Sequence, residues 1–144
     1  MLRTLSLLAV LFASAPVLAG NADPLQPQCR HRDAALEKEI GFCQAVRIGN
    51  TLHVSGVTGE GQMDAAVRSV YAQLGQILQE NGLSWANVVQ ETVFTRDIDA
   101  FIANKGIRKE FYAGALPAAT WIQVERMYLP SYVVEVVLTA QYPK

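Results

Sequence analysis

A chain of 144 residues with 13 acidic and 12 basic side chains has room for one compact domain and carries no field to draw nucleic acid or an anionic membrane. At 51% hydrophobic and 17% charged it is not a disordered chain, and a core of the size this length allows folds without a metal or a disulfide. The first twenty residues read as an export signal. Arg3 gives the positive start, Leu5 to Phe12 the apolar run, and Pro16-Val17-Leu18-Ala19 the residues a signal peptidase reads. Cleavage is expected after Ala19, with Ala22 as the alternative site. The apolar run is too short to span a bilayer, and nothing later in the chain is long and apolar enough. The expected organisation is a signal peptide over 1–19, a lead-in over 20–40 and a folded domain over 41–144, in a periplasmic or secreted protein that leaves the membrane once cleaved. A buried N-terminal helix or strand is the competing reading of the first segment.

Export changes how Cys29 and Cys43 are read. In an oxidising compartment an even pair is a candidate disulfide, and closing that loop stabilises a fold by about 3 kcal/mol in the chain-entropy model. Two unrelated thiols, one in an N-terminal arm and one in a strand, are the alternative. His31 stands two residues from Cys29, and the only other histidine is His53. In sequence that is too sparse for a metal site, which needs three or four ligands at characteristic spacing. No metal is expected.

Asn21 to Gln28 is polar and proline-bearing and reads as irregular. Asp33 to Ile40 predicts a short helical turn, capped by Asp33 and ended by Gly41. Gln44 to Ile48 and Thr51 to Ser55 are strand-like, and Gly49-Asn50 between them is a hairpin signal. Gly56 to Gly61 reads as a glycine-rich loop, without the helix-opening lysine of a phosphate cradle. From Met63 to Asn81 the apolar residues Ala66, Val67, Val70, Leu74, Ile77 and Leu78 fall on one helical stripe, stopped by Asn81-Gly82. Val88 to Thr95 alternates as a strand, and Asp97 and Asp99 cap a second helix running to about Tyr112. Pro117 breaks the chain before two strands, Ala119 to Arg126 and Val133 to Ala140, turning at Leu129-Pro130-Ser131. The order β-β-α-β-α-β-β, with a hairpin at each end, predicts an α+β domain with one mixed sheet and both helices on one face. The other face would present Val133, Val137 and the row of Trp121, and an uncovered apolar face favours a homo-oligomer.

Five segments in order carry a resemblance. The run from Ala45 to Gly56 is similar to the opening hairpin of the reactive-intermediate deaminase (Rid, YjgF-type) family, with its Gly-Asn and Ser-Gly pairs. Leu83 to Phe94 resembles that family's Val-Val to Thr-Val-Phe strand, and Asp97 to Phe111 its following helix. Leu116-Pro117-Ala118-Ala119-Thr120 resembles the turn that in the family reads Phe-Pro-Ala-Arg, and Val134-Glu135-Val136 the last strand. The resemblance covers about Ile40 to Ala140. It implies a chorismate-mutase-like fold assembled as a homotrimer, with pockets for a small-molecule ligand between neighbouring subunits. The deaminating members hydrolyse enamine or imine intermediates to ammonia and a keto acid without metal or cofactor. Others have no demonstrated deaminase activity, and a few are described as ribonucleases or stress chaperones.

Carried over residue by residue, the resemblance leaves an altered site. An imino acid presents a carboxylate, best held by a bidentate guanidinium; water must be positioned and a proton moved at the imine, which a carboxyl group or a tyrosine can assist. The family's arginine falls on Ala119, which has no charge to offer. Glu135 matches the pocket glutamate and is the candidate catalytic residue; a carboxylate on a sheet edge is the competing reading. Phe42 stands near the pocket tyrosine without its hydroxyl, or is simply core, and Cys43 beside it is a candidate thiol. Thr120 offers one hydrogen bond near the missing arginine, or fills a strand. Trp121, two places beyond Ala119, lines the pocket, occludes it or packs an interface. Asn104 resembles the pocket asparagine, or is a polar position on a helix surface. Three functions follow: a small-molecule-binding protein outside ordinary imino-acid deamination, a deaminase with a modified site, or an extracytoplasmic chaperone-like or partner-binding protein. A ribonuclease is the weakest fit, since the acidic balance supplies no stripe for phosphates.

Overall fold

The computed structural model describes residues 25–144, so the expected export signal lies outside the described residues. In chain order the elements are β1 (Gln28–Arg30), α1 (Ala34–Ile40), β2 (Ala45–Ile48), β3 (Thr51–Glu60), α2 (Met63–Glu80), β4 (Val88–Thr95), α3 (Ile98–Ala103), α4 (Lys105–Tyr112), β5 (Ala118–Gln123) and β6 (Tyr132–Gln141), with a 3-10 turn at Trp85–Asn87 before β4. The strands form one mixed sheet in the order β1-β2-β3-β6-β4-β5. All neighbours are antiparallel except β4 and β5, which α3 and α4 connect as a parallel pair. Among the described residues no helix is long and apolar enough to cross a membrane.

Local chemistry explains most of these elements. The side chain of Asp33 accepts hydrogen bonds from the Ala35 and Leu36 backbone, which starts α1, and Gly41 ends it in the left-handed conformation. Asp97 caps α3 in the same way through the Ala100 N–H. The stripe of α2 buries Ala66, Val67, Val70, Leu74, Ile77 and Leu78 as expected, together with Tyr71. These pack on the inward residues of the central strands, Leu52, Val54, Val93, Val134, Val136 and Leu138. Each such aliphatic side chain stabilises the fold by about 1.5–3 kcal/mol relative to leaving it exposed.

Four expectations need correction. First, Gly56 to Glu60 is strand, not loop: β3 continues to Glu60 and pairs with β6 throughout, with register shifts between Val54 and Val57 and between Gly59 and Glu60. The glycines there serve close approach. A Cβ on Gly59 would meet the Ala66 carbonyl oxygen and a Val70 methyl, both at 2.9 Å, so its absence lets α2 settle onto the strand. Second, the last two strands are not a hairpin, because β6 inserts between β3 and β4 and leaves β5 on the far edge. Third, the helix after Asp97 is two helices, broken at Asn104, whose amide bonds back to the Ala100 carbonyl. Fourth, a strand the sequence did not suggest, β1 over Gln28–Arg30, pairs with β2.

Candidate functional site

Inward positions on β4 are Glu91, Val93 and Thr95, all buried beneath the helices, so Thr92 and Phe94 point to the open face. Glu135 is cross-strand from Phe94 on one side and Thr58 on the other, which puts it on that open face at the sheet centre. Its carboxyl group lies over Gly56, where any Cβ would overlap it. Phe94, Val124, Arg126, Met127 and Glu135 line a cavity of about 270 Å³. Partial burial disfavours the charged form and pushes the Glu135 carboxyl above the usual range. Glu135 and Arg126 thus bring to one cavity a carboxyl group, which can move a proton, and a guanidinium, which can hold an anion.

The other residues singled out from sequence do not converge on this cavity within one chain. Ala119 pairs with Glu91 and lies on the opposite, helix-covered face, at an exposed edge position. Trp121 shares its parity: the indole packs edge-on against Phe101 with ring centroids 5.2 Å apart, and its Nε1 donates to Glu91 Oε1 at 3.3 Å. Trp121 therefore does not join Val137 on the open face, as the alternation had implied, and Val133, at the β3–β6 register shift, also packs against the core. The neighbour of Trp121 across the strand pair is Val93, a core residue, and that fixes the indole inward. Thr120, opposite Thr92, faces outward, as Ile122 opposite Phe94 does, and it is exposed. Asn104 is half-buried at the helix break. Phe42 is 37% exposed, not core, in the link from α1 to β2. Cys43 beside it is joined to Cys29 in a disulfide with the Cα atoms 5.6 Å apart, and its carbonyl accepts from Ser55 Oγ at 2.6 Å.

Two clusters escaped the sequence reading. The first centres on Glu91, which is fully buried: Tyr71 and Tyr112 each donate to Oε2 at 2.8 Å, and Arg108 Nε and Trp121 Nε1 donate to Oε1 at 2.6 and 3.3 Å. Arg108 also lies over the Tyr112 ring at 4.7 Å. Burial, then the Glu91 charge and hydrogen bonds, push both tyrosines above their ordinary range. The signal was present as parity, because a glutamate occupies an inward strand position and Arg108 and Tyr112 are one helical turn apart. The second cluster joins His31 and Glu37 to the disulfide. The fold brings Cys43 back to Cys29 and His31, so that one ligand atom of each lies within 4.8 Å of the others. Spacing along the chain had excluded such a group, because α1 and its glycine turn close the loop in space.

A family model described as endoribonuclease L-PSP matches residues 32–142. The chain belongs to this family, the Rid/YjgF family. A RutC family protein from Synechocystis is 37% identical over 72 residues, which is 49% of this chain and 55% of the relative. A protein of Rattus norvegicus named 2-iminobutanoate/2-iminopropanoate deaminase is 33% identical over 92 residues, 58% of this chain and 67% of that relative. Among solved structures, a YjgF/YER057c/UK114 member from Mycobacterium tuberculosis superposes with a TM-score of 0.74 at 23% identity, over 81% of this chain and all 100% of that one. A YjgF-family protein of Neisseria meningitidis gives 0.73 at 22% identity, over 85% and 99% of the two chains. These structural likenesses establish the Rid/YjgF fold.

Proposed function

We propose that this Rid-family protein is exported and binds a small molecule at a site built around Glu135 and completed by a second copy of the chain, and that ordinary imino-acid deamination is not its reaction. The observation that carries this reading is the pair Ala119 and Trp121. The position where the resemblance expects a guanidinium holds a methyl group, and an indole tied to Phe101 and Glu91 stands two residues on. A carboxylate substrate loses a charged, bidentate contact there, which for charge-assisted hydrogen bonds amounts to about 1.5–3 kcal/mol each. Because Glu135 and Ala119 lie on opposite faces of the sheet, only two copies can bring such positions together, in the trimer the family resemblance implies. Export is supported by the N-terminal pattern of Arg3 and Leu5 to Phe12, and mass analysis of the mature chain tests the expected cleavage after Ala19.

One observation favours a second reading, a deaminase with a modified site. Arg126 lines the same cavity as Glu135, so a guanidinium and a carboxyl group whose charged form burial disfavours share one space. The experiment is ammonia release from freshly generated 2-iminopropanoate. On the leading reading the native protein does not exceed the buffer rate, and Ala119→Arg raises it on the order of tenfold by restoring one charged anchor. Native acceleration that is lost in Arg126→Gln would establish the second reading instead.

A further inference from the structure

The disulfide is flanked by a histidine and a buried carboxylate in an arrangement that keeping two strands together does not require. Glu37 is 2% exposed, and its Oε1 accepts from the Arg32 and Asp33 backbone N–H groups at 2.8 and 2.9 Å. Its Oε2 accepts from the Gln44 N–H at 2.9 Å and meets His31 Nδ1 at 2.6 Å. With Nδ1–H donated to this anchored carboxylate, Nε2 is the ring nitrogen left with a lone pair, and it points at Cys29 Sγ, 3.1 Å away. A carboxylate that fixes the tautomer and orientation of an imidazole is the usual support for a metal-binding histidine. Cys29 and His31 are exposed and Cys43 is half-buried, with cavities of about 290 and 560 Å³ on the two sides of the group.

We propose that reduction of the Cys29–Cys43 bridge converts this cluster into a zinc site, with Cys29 Sγ, Cys43 Sγ and His31 Nε2 as ligands and a fourth position open to solvent. Two thiolates and an imidazole are the donor set of a borderline-soft d10 cation, and three protein ligands leave one position for water or an external ligand. Zn–S bonds of about 2.3 Å place tetrahedral sulfurs about 3.8 Å apart, which rotation of two side chains supplies across Cα atoms already 5.6 Å apart. Glu37 touches no metal in this arrangement and is a positioning residue. The chemistry balances: an external dithiol gives two electrons and two protons to the bridge, breaking the S–S bond and leaving as a disulfide. Zinc then displaces the two thiol protons. An external disulfide reverses both steps, so the bridge and the metal exclude one another.

The test uses the purified full chain, reduced with a phosphine, freed of reductant without air, and titrated with Zn²⁺ against a chromogenic chelator, with Co²⁺ as the spectroscopic probe. The reduced protein is expected to take one zinc per chain and to show a thiolate-to-cobalt charge-transfer band, while the unreduced protein takes none. Because Glu37 also anchors the turn, His31→Ala is the deciding variant; it should weaken binding at least about tenfold with an unchanged circular dichroism spectrum. Glu37→Gln should weaken it about 10–100-fold, as loss of a partner behind a metal-bound histidine does. Cys43→Ser should remove the charge-transfer intensity of one thiolate. Zinc left with the chelator by the reduced protein, equal uptake by the unreduced protein, or an unchanged affinity in His31→Ala would each overturn the proposal.

Discussion

At the scale of single residues, two glutamates in the same fold are pushed in opposite directions. Burial raises the Glu135 carboxyl. Burial acts on Glu37 as well, but hydrogen bonds from the Asp33 backbone, His31, and the Arg32 and Gln44 backbone outweigh it and hold its pKa at about 2, against an ordinary 4.5. A depressed acid contributes stability that is fully present above its unfolded value and is lost as pH falls through its folded value. The contribution of Glu37 is therefore complete above pH 4.5 and disappears on acidification toward pH 2. Urea unfolding at pH 6 and at pH 3 should show a much smaller loss of stability on acidification in Glu37→Gln than in the native chain. Equal losses would remove Glu37 from the list of groups that govern acid stability.

At the scale of elements, the irregularity in β3 and the buried ion pair beneath α4 are the two places where side-chain chemistry sets backbone arrangement. Gly56→Ala places a methyl group where the Glu135 carboxyl lies, so it should destabilise by about 1–3 kcal/mol as overpacking does. In a Glu135→Ala background the same change should be nearly neutral, and a double-mutant cycle by denaturant unfolding reads the difference. The Glu91 cluster behaves differently. Removing Arg108 alone leaves a buried carboxylate facing two tyrosines, and Arg108→Met should cost about 3–5 kcal/mol. Combining it with Glu91→Leu should cost less than the sum of the single changes, because neither charge is then stranded. Elements with strong local signals, such as the Asp33 cap, the Met63–Glu80 stripe and the Val88–Thr95 alternation, were legible in the sequence. What was not legible depended on contacts distant along the chain. Glycines that read as a loop are a strand under Glu135 and α2, and the partners of Trp121, Glu91 and Cys29 lie 17 or more residues away or are brought near only by a closing helix.

At the scale of the whole molecule, Phe94 and Val137 lie half-buried on the open face of the sheet, with Ile122 exposed beside them. A second copy of the chain is the partner the account requires, since Glu135 and Ala119 lie on opposite faces of one sheet. Sedimentation equilibrium should therefore report a homo-oligomer, with a trimer as the expected mass, and Val137→Asp on the open face should shift it toward monomer. A native monomer at micromolar concentration would leave the ligand site incomplete and withdraw the proposed function. The proposed function is narrower: it keeps the Rid/YjgF fold without the usual reaction, because the position that the resemblance gives to the guanidinium anchor holds Ala119 and Trp121 is turned onto Phe101. The most direct measurement is the rate of ammonia release from freshly generated 2-iminopropanoate with and without the purified native protein. The account predicts a rate no higher than in buffer. A clear acceleration that disappears in Glu135→Gln would contradict it.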